Sequence, residues 1–138
     1  MLYQSIAKAA AKKVQRLVLS SGKVGVELTA EIGKRDASET AHLATARIEQ
    51  LYPLPTKQLQ EVLAAYENLK EVVWLQEEPQ NQGPWAYIRP RLQALLPEGV
   101  RLRYIGRPEQ AFVAESSPDV HNRVQADILQ AALANDIN

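Results

Sequence analysis

Glu71-Val72-Val73-Trp74-Leu75 is a continuous apolar run behind a single acid, and it stops at Gln76-Glu77-Glu78-Pro79-Gln80-Asn81-Gln82-Gly83-Pro84, a long polar segment. No polar residue breaks Val72 to Leu75, so the run has no wet face. It predicts a strand buried on both sides, with the polar segment as the loop at its carboxyl end.

On either side of this strand the periodicity changes to that of helices. Upstream, Leu59, Val62, Leu63 and Tyr66 recur at i, i+3, i+4 and i+7, with Thr56 as a candidate cap. Downstream, Trp85, Ile88, Leu92, Leu95 and Leu96 mark another helix, in which Pro90 is an irregularity. Further out the pattern repeats. Arg16-Leu17-Val18-Leu19 reads as a strand ending at Ser20-Ser21-Gly22, and Val24, Leu28 and Ile32 form a helical stripe. Asp36 to Thr40 reads as polar loop, His42 to Gln50 as a strand closed by the turn Tyr52-Pro53-Leu54-Pro55, and Val100 to Ile105 as a strand with one wetter face carrying Arg101 and Arg103. Ser117-Pro118-Asp119 opens a last helix with the stripe Val120, Val124, Ile128 and Ala131. The Ala/Lys-rich opening, residues 1–13, reads as a helical N-terminal extension, leaving 14–138 as one domain. Strands alternating with helices over short connections make an α/β layered domain with a mostly parallel sheet. Ligands and partners of such sheets meet the carboxyl-end loops: Ser20–Lys23, Gln50–Pro55, Glu77–Pro84 and Gly106–Gln110.

The chain has 138 residues, the size of one domain, and Lys+Arg and Asp+Glu are both 16. A formal charge of zero argues against nucleic acid or an anionic membrane as the main partner, since both call for a basic excess. With no cysteine, disulfides and thiolate chemistry are excluded. No stretch approaches the roughly 18 apolar residues of a membrane span, and the opening lacks a secretory signal's apolar centre. The expectation is a cytoplasmic domain.

Few side chains suggest chemistry. Ser20-Ser21-Gly22-Lys23 lies where a strand meets a helix, but it lacks the spacing of a phosphate-binding loop and reads as a turn. Glu77 and Glu78 are adjacent on a strand end and point to opposite faces, so one is expected to turn inward onto backbone N–H groups or a cation such as Arg107. His42 and His121, the two histidines, have no second strong ligand at metal spacing, so no metal site is expected. Arg101, Arg103 and Arg107 form a cluster suited either to an anion or to an acidic interface. No nucleophile–base pair is present, so no catalytic residue is assigned.

Three segments carry a resemblance. Arg47-Ile48-Glu49-Gln50-Leu51-Tyr52-Pro53-Leu54-Pro55, then Trp74-Leu75-Gln76-Glu77-Glu78-Pro79, then Asn81-Gln82-Gly83 resemble the C-terminal region of bacterial 2-oxoglutarate dehydrogenases, the thiamine-dependent first component. Ser21-Gly22-Lys23, Tyr104-Ile105-Gly106-Arg107 and His121 fall in the same order. The resemblance implies a transketolase C-terminal-like fold, a three-layer α/β/α sandwich with a five-stranded, mainly parallel sheet. Four strands are identified above, which leaves a fifth, short around Ala111 to Ala114 or antiparallel. It also implies an oxidoreductase whose thiamine diphosphate and Mg²⁺ are held upstream, by a Gly-Asp-Gly…Asn motif that this chain lacks. The chain is therefore expected to bind no cofactor and to be inactive alone. Its expected partners are the other domains and second subunit of the enzyme and the lipoyl-bearing second component. Glu49, Glu77, Glu78, Asn81, Gln82, Trp85, Arg107 and His121 are expected at interfaces or in structural motifs. By resemblance to actinobacterial relatives activated by acetyl-CoA, Gln50 and Lys57 are candidate effector contacts, although Gln58 stands where a second basic residue is usual. Gln110 to Glu115 departs from the family's small-residue run. Two alternatives stay open: a stand-alone α/β regulatory or ligand-binding module, and the equivalent domain of a pyruvate dehydrogenase or transketolase.

Overall fold

The computed structural model describes residues 2–5, 11–107 and 118–137. In chain order the elements are β1 (Leu2–Ser5), a 3-10 turn (Ala11–Lys13), β2 (Arg16–Ser20), α1 (Lys23–Gly33), α2 (Ala37–Thr40), β3 (Leu43–Ile48), α3 (Thr56–Ala65), β4 (Glu71–Pro79), α4 (Trp85–Leu95), β5 (Arg101–Arg107) and α5 (Pro118–Leu133). They form a five-stranded sheet in the order β1-β3-β2-β4-β5. β2 to β5 are mutually parallel, and β1 runs antiparallel to β3 from Leu2↔Ile48 to Ser5↔Thr45.

The apolar run of β4 behaves as its sequence implies, with Val72, Val73, Trp74 and Leu75 all fully buried. Alternation sends Val72 and Trp74 to one face and Val73 and Leu75 to the other. On the first face Leu17, Leu19, Ala44, Ala46 and Ile48 join Leu59, Val62 and Leu63 of α3 and Ile88 and Leu92 of α4. On the second, Val18, Leu43 and Ile105 join Val24, Leu28 and Ile32 of α1 and Ile128, Leu129 and Ala132 of α5. Helices therefore cover both faces, as the three-layer expectation requires.

Several local expectations are corrected. Leu2–Ser5 is strand rather than helix, and the sheet includes it. Helix propensity is a weak local preference, whereas the free edge of β3 offers a row of unpaired backbone groups. This edge strand is the fifth; Ala111 to Ala114 lie outside the described residues, as does Ser117. Asp36 to Thr40 is not all loop, because Ala37–Thr40 makes a helical turn. Thr56 does not cap α3: it is the first helical residue, and its hydroxyl donates to the Leu54 carbonyl at 3.3 Å. β4 continues through Glu77 and Glu78 to Pro79. The inner stripe of α5 is Ile128, Leu129, Ala132 and Leu133, while Val120 is exposed. Four-residue steps alone could not locate it, because such a stripe drifts around a 3.6-residue helix.

Candidate functional site

β3 and β4 leave β2 on opposite sides, so the topological switch of the sheet lies between β2 and β4. The long loop after β4 borders this crevice, and a β-bulge builds it. Leu75 pairs with Ile105 and Pro79 with Arg107, so Gln76, Glu77 and Glu78 together face the single residue Gly106. A Cβ on Gly106 would stand 2.5 Å from the Gln76 carbonyl oxygen and 2.5 Å from the Tyr104 hydroxyl, so only glycine fits there.

The buried Gln76 carboxamide organises the loop. Its Oε1 accepts the Trp74 indole N–H at 2.9 Å, and its Nε2 lies 3.2, 3.0 and 2.9 Å from the carbonyls of Glu78, Pro79 and Gln82. The Tyr104 hydroxyl lies 2.6 Å from the Arg107 carbonyl and 3.2 Å from that of Glu78; burial pushes its pKa up to about 12. Trp85 packs on Tyr104 with ring centroids 5.3 Å apart. Gly83 closes the loop at φ 67°, where a Cβ would sit 2.8 Å from a Glu78 carboxylate oxygen. The residues from Gln76 to Trp85 thus form one preorganised wall. Glu78 and Asn81 are exposed on it, Gln82 is half-buried and Trp85 is buried.

Arg107 is buried and anchors the end of β5. Its guanidinium donates to the Glu77 backbone carbonyl at 2.6 Å and to Gln125 Oε1 at 3.2 Å; Gln125 in turn donates to Glu27 at 3.0 Å. Exposed His121 places Nδ1 3.5 Å from Arg107. Where a Glu77 or Glu78 carboxylate was expected to turn inward onto backbone N–H groups or a cation such as Arg107, the contact between Arg107 and this pair is to the Glu77 backbone carbonyl. The three-arginine cluster is corrected: Arg101 and Arg103 lie toward the opposite end of β5, with Glu71 and Asp136. Side chains on one strand face four residues apart are about 13 Å apart, too far to share one anion.

Glu49 and Gln50 are exposed just beyond β3, and Lys57 is exposed in the first turn of α3. Gln50 Nε2 donates to the Tyr52 carbonyl at 2.9 Å, spanning the turn that contains the cis Tyr52–Pro53 bond. Tyr52 is 80% exposed and meets Tyr87 edge-on at 6.4 Å, and Arg91 lies 3.7 Å over the Tyr87 ring.

A second polar centre lies at the amino edge, around Arg16, which the sequence reading placed only as the first residue of a strand. Arg16 is fully buried. Its Nε donates to Glu71 at 2.9 Å, its Nη1 donates to the carbonyls of Ala132 and Ala134, and its Nη2 pairs with Asp136. The Arg16 hydrogen bond holds the Asp136 carboxyl below its ordinary pKa. A basic residue and an acid opening adjacent strands, Arg16 and Glu71, were the legible signal.

His42 packs into the same corner, with Nε2 3.1 Å from the Leu133 carbonyl. Burial, then the neighbouring Arg16 charge, lowers its pKa below 6.5. The native state thus disfavours the imidazolium. The stability due to neutral His42 is complete above the unfolded value and is lost as pH falls through 6.5 toward the lower folded value. The thermal midpoint is expected to drop between about pH 7.5 and 5. His42→Gln, which keeps a donor for Leu133, is expected to flatten that limb; an unchanged slope would exclude His42 as its source.

Among the described residues no group of three His, Cys, Asp or Glu side chains could hold a metal ion. No helix among the described residues is long and apolar enough to cross a membrane.

Residues 2–133 match the 2-oxoglutarate dehydrogenase C-terminal family. The chain is 50% identical over 123 residues to the 2-oxoglutarate dehydrogenase E1 component of Bacillus subtilis (strain 168), covering 88% of this chain and 13% of that protein. It is 46% identical over 125 residues to the E1 component of Geobacillus kaustophilus (strain HTA426), covering 91% and 13%. Over 130 residues it is 45% identical to that of Bacillus velezensis (strain DSM 23117 / BGSC 10A6 / LMG 26770 / FZB42), covering 94% and 14%. The chain thus spans about 13% of the length of the first two of these relatives.

Proposed function

The chain belongs to the 2-oxoglutarate dehydrogenase C-terminal family, and from that membership we propose that it works as the C-terminal, non-cofactor-binding domain of an enzyme that oxidatively decarboxylates 2-oxoglutarate. The observation that carries this reading is a match over nearly the whole chain to proteins that are all E1 components. In this reading thiamine diphosphate and Mg²⁺ are bound by other domains of a cytoplasmic dehydrogenase. This domain packs against those domains and a second subunit, and the assembly passes the succinyl group to a lipoyl-bearing second component. Neither nucleic acid nor a membrane is a partner. The exposed wall of Glu78 and Asn81, with Glu49 beyond β3 and His121 on α5, supplies the packing surface, and Gln76, Glu77, Gln82, Trp85 and Arg107 hold it in shape.

The test is a chimera in which residues 2–133 replace the matching segment of the Bacillus subtilis E1 component. It is expected to assemble and to reduce ferricyanide with 2-oxoglutarate, whereas the 138-residue chain alone is expected to do neither and to give no heat with thiamine diphosphate. A folded chimera without 2-oxoglutarate decarboxylation would overturn the reading.

Gln50 and Lys57 are proposed contacts for an acyl-CoA effector, supported by their exposure on the two sides of the Pro53-Leu54-Pro55 turn. Calorimetry of the chimera with acetyl-CoA and with AMP is expected to show acetyl-CoA heat that Lys57→Ala abolishes. No heat in either protein rejects the site.

A further inference from the structure

Ser20-Ser21-Gly22-Lys23, at the carboxyl end of β2, takes no part in the function proposed above. The segment lies beside the switch between β2 and β4, where open sheets of this kind hold ligands. It lacks the spacing of a phosphate-binding loop, yet the helix it opens has donors left unused. α1 has 11 residues and begins at Lys23 behind Gly22, which stands at φ 80° and brings no side-chain cap. The first N–H groups of a helix have no acceptor within it. Those of Lys23, Val24 and Gly25 find no acceptor elsewhere among the described residues. Nothing lies within 4 Å of where a Cβ on Gly22 would stand, so the approach to the turn is open.

A buried hydroxyl faces the same turn. Ser20 is 2% exposed, and its side chain makes no hydrogen bond among the described residues. Strand alternation puts it on the Val18 face, under α1 and level with Arg47 of β3. It is pressed against the turn: a Cβ on Gly25 would overlap Ser20 Oγ and stand 2.8 Å from Arg47 Cγ. A hydroxyl buried without a partner is destabilising unless a group from outside the chain bonds to it. The first turn contains no acid. Glu27, one turn on, is held by Gln125 at 3.0 Å and lies 3.7 Å from exposed Lys23.

We infer that Ser20 and the first turn of α1 form a binding site for a phosphate-class oxyanion. The groups present select that ligand. Backbone N–H groups and a hydroxyl donate, so they call for an acceptor and offer nothing to a cation. A tetrahedral phosphate accepts several such bonds at once, and its negative charge meets the positive end of the α1 dipole. Lys23 adds a mobile positive charge from the solvent side. The site is distinct from the effector contacts proposed at Gln50 and Lys57, since Lys57 belongs to α3, which covers the other face of the sheet.

The test is amide NMR of the ¹⁵N-labelled chain titrated with sodium phosphate and, separately, with glycerol phosphate, at an ionic strength held constant with sodium chloride. Saturable shifts are expected at the amides of Gly22, Lys23, Val24 and Gly25. The tighter of the two probes tells whether the site prefers the free anion or its ester. Ser20→Ala, which deletes a single buried oxygen, is expected to keep the rest of the spectrum and to weaken binding several-fold. Lys23→Ala is expected to weaken it as well, by removing the cation at the mouth of the site. The inference is overturned if neither probe gives saturable shifts at these amides, if sodium chloride alone reproduces them, or if Ser20→Ala binds as the wild type does. It also fails if Lys57→Ala abolishes the shifts, which would place the anion at the effector contacts instead.

Discussion

Arg16→Met is expected to destabilise the fold by about 3–5 kcal/mol, the cost of removing one partner from a buried charge pair. Glu71 would keep a buried carboxylate whose remaining cations, Arg101 at 3.9 Å and Arg103 at 3.8 Å, are partly exposed and beyond hydrogen-bond distance. The carbonyls of Ala132 and Ala134 would lose their shared donor, and Asp136 would lose its closest cation. The double variant Arg16→Met/Glu71→Leu is expected to recover much of the loss, because a buried pair replaced by apolar groups is often close to neutral. Asp136→Asn, at a half-exposed site, is expected to cost no more than about 1 kcal/mol. Urea unfolding of the wild type, Arg16→Met, Glu71→Leu and their double variant as a double-mutant cycle measures the coupling. A cost below about 1 kcal/mol for Arg16→Met would show that the corner is not stabilised by its charges.

Gln76→Leu is expected to cost about 2–4 kcal/mol and, unlike Arg16→Met, to act at the carboxyl edge. The leucine fills a similar volume but leaves the buried Trp74 indole N–H without an acceptor and three loop carbonyls without a donor. Each unsatisfied buried group costs about 1–3 kcal/mol, reduced where the loop can relax toward water. Hydrogen exchange is expected to accelerate from Glu78 to Gly83 while the cores of β2 and β4 stay protected. Gln76→Glu separates the two halves of the effect: it keeps an acceptor for Trp74 and loses the donors. Equal exchange in wild type and Gln76→Leu would mean that the bulge and Gly106 shape the loop unaided.

Much of this architecture is legible along the chain because it rests on periodicity, which is a local property. Val72 to Leu75 carries no polar interruption and is buried on both sides; Leu59, Val62 and Leu63 keep a helical step and face one core. The motif from Gln76 to Gly83 marked the loop that matters, and its residues do form one hydrogen-bonded wall.

Other features depend on partners far along the chain, and no window of sequence contains them. Leu2–Ser5 is a strand because the edge of β3, 40 to 46 residues later, offers it backbone groups. Arg16 can be buried because Glu71 lies beside it in register and Ala132, Ala134 and Asp136 return to it from the far end of α5. Arg101 and Arg103 are separated from Arg107 by the rise of the strand that sequence proximity conceals. The residue pattern thus determines which segments are strands and helices and which face of each turns inward. Which charges may be buried, and which polar loop becomes rigid, depends on neighbours that only the folded chain brings within hydrogen-bond distance, since a buried polar group is stable only when its partners are there.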